Sequence, residues 1–288
     1  MPTSQQLHDL RTAAYSFLLD ADRPLPAQAV AGRLFGDQRH EDPVASIVVR
    51  HLLQDDPRFL RTHAGRWCAA DAPLLARPLD EILFTVVDLE TTGSVLGVDE
   101  VVEIGALAVR GGVIEKRLST LVRSRQPLPP WIRRLTGIRT SDLRTAPTFP
   151  EVAPQLHEML VGAVFVAHDL RFDLPFLRWE FSRHGLEMPE LVGVCTLQLS
   201  RLIWPELPSR RLADLARLLD VPHNQPHRAG ADAEATAGIL QLALERAREL
   251  GLRALGDLFA VAVDGVVVAD SGDAADGAPA PLAAEATG

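Results

Sequence analysis

Phe84-Thr85-Val86-Val87 runs straight into Asp88-Leu89-Glu90, and Thr91-Thr92-Gly93 closes the run. Short, β-branched and stopped by glycine, this stretch reads as a buried strand. Side chains alternate along a strand, so Asp88 and Glu90 share a face. Two carboxylates side by side at the end of a buried strand repel each other. A hard divalent cation, which prefers oxygen ligands, offsets that repulsion. A lone Asp-x-Glu is more often a pair of solvated strand-end acids. Here three further groups of compatible chemistry follow: Asp173 in VAHDLRFDLPFL, and His227 and Asp232 in HRAGADAEAT.

The elements that must position these groups follow from the apolar spacing. Residues 101–109 read as an apolar strand, Gly111-Gly112 as a hairpin turn and 113–122 as the returning strand. Glu103 interrupts the apolar run and is expected on its polar face. A short helix from 131 stops at Gly137, an amphipathic helix fits 149–160, and 163–168 is a further buried strand. Asp173 stands two residues before Pro175, where a helix N-cap belongs, and that helix runs to Gly185. A short helix over 210–219 precedes a long one over 229–250. Asp232 falls in the first turn of the long helix, where an acid also favours the helix dipole.

The chain has 288 residues, enough for about two domains. Ahead of the first carboxylate, Leu7, Leu10, Ala14, Phe17 and Leu18 recur at helical spacing. A second helix fits 27–35, and Asp42-Pro43 opens a third. Its apolar face is expected to hold Val44, Ile47, Val48, Leu52 and Leu53. Two short strands, 58–62 and 66–69, join through Ala64-Gly65. Three helices and a hairpin resemble a winged-helix domain. A small α+β domain over 1–75 is therefore expected, with a linker at 76–81. Its third helix offers mainly Arg50 and His51 as cations, where a DNA-reading helix carries more. A protein-contact or weak DNA-contact role is expected. The acidic, Ala/Gly-rich tail, 251–288, is expected to be largely disordered.

A net charge of −9 argues against a nucleic-acid partner until its distribution is read. Residues 1–78 balance nine Arg against nine acids, residues 79–250 carry −4, and residues 251–288 carry −5. The middle excess equals the four candidate site acids, which two divalent ions would neutralise. Between 116 and 144, seven Arg and one Lys stand against a single acid, Asp142. Such a run contacts phosphate or forms a solvated face. Cys68 and Cys195 form no CxxC pair, so neither a disulfide framework nor a zinc site is expected, which fits a reducing cytoplasm. The first residues lack a signal-peptide pattern, and no apolar run approaches a membrane span.

Together the motifs resemble those of the DEDDh 3′→5′ exonucleases, the family of the proofreading epsilon subunit of bacterial DNA polymerase III. VVDLETTG is similar to the first exonuclease motif. Asp173 with the preceding Ala167-His168 is similar to the second, and His227 with Asp232, five residues on, to the third. LTGI at 135–138 and a Cys195-Thr196-Leu197 strand also match. Position 169 is Asp where Asn is frequent. The resemblance covers roughly residues 80–250. It implies a ribonuclease-H-like α/β fold with a mixed central sheet over 82–250. It further implies that Asp88, Glu90, Asp173 and Asp232 bind two Mg²⁺ or Mn²⁺ ions, with His227 as general base. Thr91, Thr92 and His168 would lie near the terminal nucleotide. The implied reaction releases 5′-mononucleotides from DNA 3′ ends. The alternatives are an exoribonuclease of the same superfamily and a non-catalytic nucleic-acid-binding adaptor. A DNA polymerase or repair protein is an expected partner, through the N-terminal domain.

Asp88→Ala removes a proposed ligand and relieves carboxylate repulsion. We expect metal-dependent hydrolysis to vanish while circular dichroism and the melting temperature hold. Near-normal turnover in this variant would exclude Asp88 from the site.

Overall fold

A computed structural model of the chain describes residues 3–21, 24–36, 43–56, 58–61, 66–69, 74–189 and 191–260. Helix α1 (Ser4–Leu19) opens on a capping box in which Thr3 and Gln6 satisfy each other's backbone N–H groups. Helix α2 (Ala27–Phe35) ends on Gly36, and α3 (Pro43–Leu53) follows. Strands β1 (Phe59–Arg61) and β2 (Trp67–Ala69) pair antiparallel, and Leu25 bridges to Trp67. Ala14, Leu18, Val30, Leu53 and Trp67 are buried between them. The expected order of three helices and two strands is thus present. Asp42 and the Ala64-Gly65 turn lie outside the described residues.

The face assigned to the third helix needs correcting. Val49, Leu52 and Leu53 are buried, whereas Val44, Ile47 and Val48 are exposed. Ile47 lies about 200° around the helix from Val49, so these two cannot face one core. α3 is apolar on two sides.

The remaining elements build a mixed sheet with helices on both faces. Its strands are β3 (Phe84–Thr91), β4 (Val101–Arg110), β5 (Val113–Leu121), β6 (Val164–Ala167) and β7 (Val192–Cys195), in the order β5-β4-β3-β6-β7. β3, β4 and β5 run antiparallel in succession, and β6 and β7 run parallel to β3. Between β5 and β6 come α4 (Pro130–Thr136), α5 (Thr140–Thr145) and α6 (Phe149–Leu160). Helix α7 (Leu170–Arg183) connects β6 to β7. After β7 come α8 (Thr196–Ile203), α9 (Leu212–Leu218), α10 (Ala229–Glu249) and α11 (Leu255–Ala260). The strand expected over Cys195-Thr196-Leu197 stops at Cys195. Thr196 and Leu197 already open α8, and the Leu197 N–H turns back to the His168 carbonyl.

Alternation along β3 decides which layer meets the carboxylates. Phe84 and Val86 pack in the core that holds Leu240 and Ala243 of α10. Val87 and Leu89 pack in the opposite core, with Leu156 of α6 and Leu174 of α7. Asp88 and Glu90 continue the first set and so belong to the α10 face.

The segment expected as a linker is folded. Leu79 and Ile82 are buried, and the Leu79 N–H donates to the Arg253 carbonyl. Leu255 and Gly256 donate back to the carbonyls of Arg77 and Leu75. Residues 251–260, expected as the start of the tail, therefore belong to the fold through α11. Residues 261–288 lie outside the described residues. Buried apolar side chains run continuously from Leu18 and Val30 through Leu75 and Leu79 to Leu240 and Leu258.

Gly105 of β4 faces Asp88 across the ladder. A Cβ there would overlap the backbone carbonyl of Ala229, the first residue of α10. Backbone cannot swing aside as a side-chain tip does. We expect Gly105→Ala to cost about 1–3 kcal/mol, the scale of overpacking, and to lower hydrolysis by displacing the start of α10. Calorimetric melting and activity check this together; no change in either would refute the close approach.

Candidate active site

Pairing of β3 with β6 ends at Val86↔Val166. Three residues beyond that last pair, the Leu89 N–H donates to a side chain, Asp173 Oδ1, at 3.2 Å. A buried amide must find a partner, and here that requirement ties Asp173 beside Asp88. Asp173 is buried in the first turn of α7. It is not the helix cap expected from its spacing to Pro175. Asp169, one turn earlier, caps the helix by accepting the Arg171 N–H, which leaves Asp173 free to turn inward.

On the other side of β3, Glu90 faces Glu103 across the ladder, and the register shifts between Glu90 and Thr91. Such bulges re-aim side chains beside active sites. Glu103 is buried, contrary to its expected place on a polar face. Two carboxylates directly opposite each other destabilise a sheet. Arg228 answers this by donating to both oxygens of Glu103, through Nε at 3.1 Å and Nη2 at 2.7 Å. The Ala229 N–H also donates to Glu103, at 3.1 Å. Glu103 thereby anchors the start of α10 and the loop before it.

That loop carries the histidine. His227 is exposed, with φ of 63° in the left-handed region, a strained setting for a non-glycine residue. Its N–H donates to Asp232 Oδ2 at 3.1 Å. Asp232 Oδ1 lies 2.5 Å from His223 Nε2. His223 was not singled out from the sequence, although it stands one helical-turn spacing before His227. Donor atoms of Glu90, His227 and Asp232 all fall within 4.8 Å of one another. Asp88 and Asp173 adjoin this group.

Burial, and after it the charges of neighbouring acids, raises the pKa of Asp88, Glu90 and Asp173. Burial pushes Asp88 well above the ordinary carboxylate range, and the charges of Asp173, Asp232, Glu90 and Glu103 push it further. Burial is also the main cause for Glu90, raised to about 8, with Asp232 and Glu103 adding and Arg228 opposing. Asp173 rises through burial and the Asp169 charge, against the Leu89 hydrogen bond. Arg228, the cation acting on Glu90, is already bonded to Glu103. The donor set is therefore oxygen-rich and short of positive charge, which fits hard divalent ions.

The three remaining residues named from the sequence are bonded within the protein. Thr91 Oγ1 donates to the Gly93 carbonyl. Thr92 Oγ1 donates to Asp99 Oδ1 at 2.9 Å and accepts the Glu100 N–H at 3.0 Å. Both hydroxyls shape the turn after β3. His168 places Nδ1 at 2.9 Å from Thr196 Oγ1 and Nε2 at 2.9 Å from the Arg210 carbonyl; burial lowers its pKa. A second network escaped sequence reading. Buried Glu180 accepts the Val101 N–H at 2.9 Å and pairs with Arg183, which also reaches Glu100 at 2.6 Å. It fixes the start of β4, beside the bulge.

Acids gathered from β3, α7 and α10 at the end of a central strand define a ribonuclease-H-like fold carrying a carboxylate site. Residues 85–240, more than half of the chain, match the RNase_T family model, described as exonuclease. The chain belongs to that exonuclease family. One relative is the 3′-5′ exonuclease DinG of Bacillus subtilis (strain 168). It is 36% identical over 58% of this chain and 18% of its own length. Another is the PolC-type DNA polymerase III of Caldanaerobacter subterraneus subsp. tengcongensis, 36% identical over 63% of this chain and 13% of its own. The chain thus spans less than a fifth of either relative. Escherichia coli exonuclease I in complex with a dT13 oligonucleotide shares the fold, with a TM-score of 0.53 and 19% identity over 59% of this chain and 43% of that one. So does the nuclease domain of 3′hExo, a DEDDh family member bound to rAMP, with a TM-score of 0.50 and 18% identity over 59% and 94%.

The raised acids fix the direction of a pH effect. Without metal, the folded protein holds protons on these carboxylates that the unfolded chain releases. Stability is then greatest below the ordinary glutamate value of 4.5 and is lost as pH rises through about 8, as far as Glu90 is concerned. We expect the metal-free melting temperature to fall across this window, and Mg²⁺ to raise it most at the alkaline end. A chelated protein whose melting contribution from Glu90→Gln is the same at both ends would overturn this.

Proposed function

We propose that the chain is a metal-dependent 3′→5′ exonuclease that hydrolyses DNA from its 3′ end and releases 5′-mononucleotides. The observation that supports this most is the convergence of Glu90, His227 and Asp232, with Asp88 and Asp173 alongside, at the end of β3. Asp88, Glu90, Asp173 and Asp232 would hold two Mg²⁺ or Mn²⁺ ions. Bound there, such ions polarise a phosphodiester, lower the pKa of water and stabilise the leaving oxygen. His227, exposed at the mouth of the cluster, takes the proton from the attacking water. Arg228 and Glu103 hold the backbone on which His227 stands, and the Thr91-Thr92 turn follows Glu90 directly in the chain. His168 ties β6 to α8 and to the loop at Arg210.

The basic run supports a nucleic-acid substrate. Arg133, Arg134 and Arg144 are exposed and have no acidic partner among the described residues. Trp131 and Leu135 are exposed on the same short helix, α4. Unpaired arginines beside an exposed aromatic ring suit a single strand, by phosphate attraction and base stacking. The third helix of the N-terminal segment, which we read as a winged-helix-like domain, exposes Val44, Ile47 and Val48 beside only two basic side chains, Arg50 and His51, which favours a protein, a polymerase or repair factor, over DNA. Cys68 and Cys195 are buried and unpaired, in keeping with a reducing cytoplasm. Among the described residues no helix is long and apolar enough to cross a membrane.

End-labelled DNA and RNA oligonucleotides, incubated with one preparation and Mg²⁺ or Mn²⁺, test this reading. We expect stepwise shortening from the 3′ end, faster on DNA. His227→Ala should lose roughly 10²–10⁴-fold in single-turnover rate, the worth of a positioned base, while still binding Mg²⁺. Preference for RNA would select the exoribonuclease, and binding without hydrolysis the adaptor.

A further inference from the structure

We propose that Arg125 is a phosphate contact for the strand being digested, presented by a buried ion network, Glu180–Arg183–Glu100, that lies outside the carboxylate cluster. The contact rests on the exonuclease reading, which supplies the strand.

Two acids of α7 each receive a strand amide. Asp173 accepts the Leu89 N–H, and Glu180, about two helical turns later, accepts the Val101 N–H at the start of β4. Glu180 is fully buried. Its second oxygen takes Arg183 Nε at 2.7 Å, and Arg183 Nη1 reaches Glu100 Oε1 at 2.6 Å. Glu100 Oε2 then accepts the Ser124 hydroxyl and the Arg125 N–H, each at 2.7 Å. The Gln126 N–H donates to Ser124 Oγ at 2.9 Å, and Gln126 Nε2 donates to the Val98 carbonyl. Every carboxylate oxygen of the network is thus used. Together these bonds lock α7, the start of β4 and the loop after β5 to one another.

A buried ion network is a poor source of stability, because apolar side chains of the same volume often serve as well or better. What it does fix is position: moving one member away leaves another charge buried and unpaired, at a cost of several kcal/mol. Arg125 stands at the end of this network with its own charge unused. Its backbone amide is held by Glu100, while its side chain is exposed and forms no ion pair among the described residues. The loop that carries it also grips the turn leaving the candidate site. Val98, held by Gln126, and Thr92, whose hydroxyl accepts the Glu100 N–H, both belong to the turn after β3. A guanidinium offers planar, paired donors that match phosphate oxygens. Held on a braced loop, it binds with less ordering cost than a free surface arginine. It extends toward this turn the cationic surface of Arg133, Arg134 and Arg144.

The test is fluorescence anisotropy of a 5′-labelled single-stranded dT oligonucleotide against the full chain, with Ca²⁺ replacing Mg²⁺, over a series of salt concentrations. Steady-state hydrolysis with Mg²⁺ runs beside it, and circular dichroism confirms the fold of each variant. We expect Arg125→Ala to weaken binding on the order of 3–10-fold and to flatten the slope of log affinity against log salt by about 0.7, the worth of one single-strand phosphate. The loss should fall on KM rather than kcat. Arg125→Lys, which keeps the charge, should restore the slope. Arg183→Ala breaks the network at its centre. Ser124→Ala breaks the link from Glu100 to Gln126 at a half-buried residue, without stranding a buried charge, and decides the matter if Arg183→Ala fails to fold. Each should raise KM when Arg125 is present and add nothing to Arg125→Ala, since both act through it. Wild-type affinity and salt slope in Arg125→Ala would overturn the contact, and losses that add in the double variants would overturn its positioning by the network. The two readings fail separately: binding that needs Arg125, in a protein that never hydrolyses with Mg²⁺, removes the exonuclease. Hydrolysis with binding indifferent to Arg125 removes only the contact.

Discussion

Repulsion among carboxylates is the constraint that the rest of the structure answers. Asp88, Glu90, Asp173 and Asp232 are brought to one end of a sheet, and Glu103 stands directly opposite Glu90. Each answer comes from a different element. Arg228 absorbs the charge of Glu103. The Leu89 amide, beyond the last β3–β6 pair, holds Asp173. His223 and the His227 N–H hold Asp232. None of these contacts places a cation on Asp88. The fold thus restrains the acids without neutralising all of them, and that residual deficit is what makes the site ready for metal.

The same contacts make the site a product of tertiary structure. Leu89 and Asp173 are 84 residues apart, and Glu103 and Arg228 are 125 apart. A strand, a first helical turn and a loop must dock before Asp88 and Glu90 of β3 meet Asp173 or Asp232. Close docking needs Gly105, because the first carbonyl of α10 lies where a side chain would begin. Loop-closure entropy for such contacts is spent on the whole sheet rather than on the site. The acids are therefore carried by a core already stabilised by Phe84, Val86, Ile104 and Leu240.

Much of this was legible in the sequence because periodicity encodes local structure. Alternation gave β3 and the shared face of Asp88 and Glu90, and the glycines at 111–112 and 137 gave turn and stop. Motif spacing gave the five residues proposed for the site. What stayed illegible depended on contacts between distant segments. Glu103 reads as a polar-face residue unless Arg228 is known to reach it. Asp173 reads as a cap from Pro175 alone, yet Asp169 takes that role and a strand amide claims Asp173. Cys195-Thr196-Leu197 reads as strand, but the chain turns at Thr196 to bond His168. Val44, Ile47 and Val48 read as core, since hydrophobicity alone does not say which side of α3 the core lies on.

Restraint and freedom are divided unequally among the candidate site residues, and the division follows the ligand and base roles proposed for them. Glu90 is on a strand, Asp173 and Asp232 are in first helical turns, and each is held by hydrogen bonds or by sheet register. His227 alone is exposed, on a left-handed backbone. A ligand gains from rigidity, because donor positions set before binding lower the ordering cost. A base must instead receive a proton and release it to solvent in each turnover, which favours exposure. The Glu103–Arg228 pair reconciles the two needs. It clamps the residues on the C-terminal side of His227 to β4, so the backbone is fixed while the imidazole keeps its access to water.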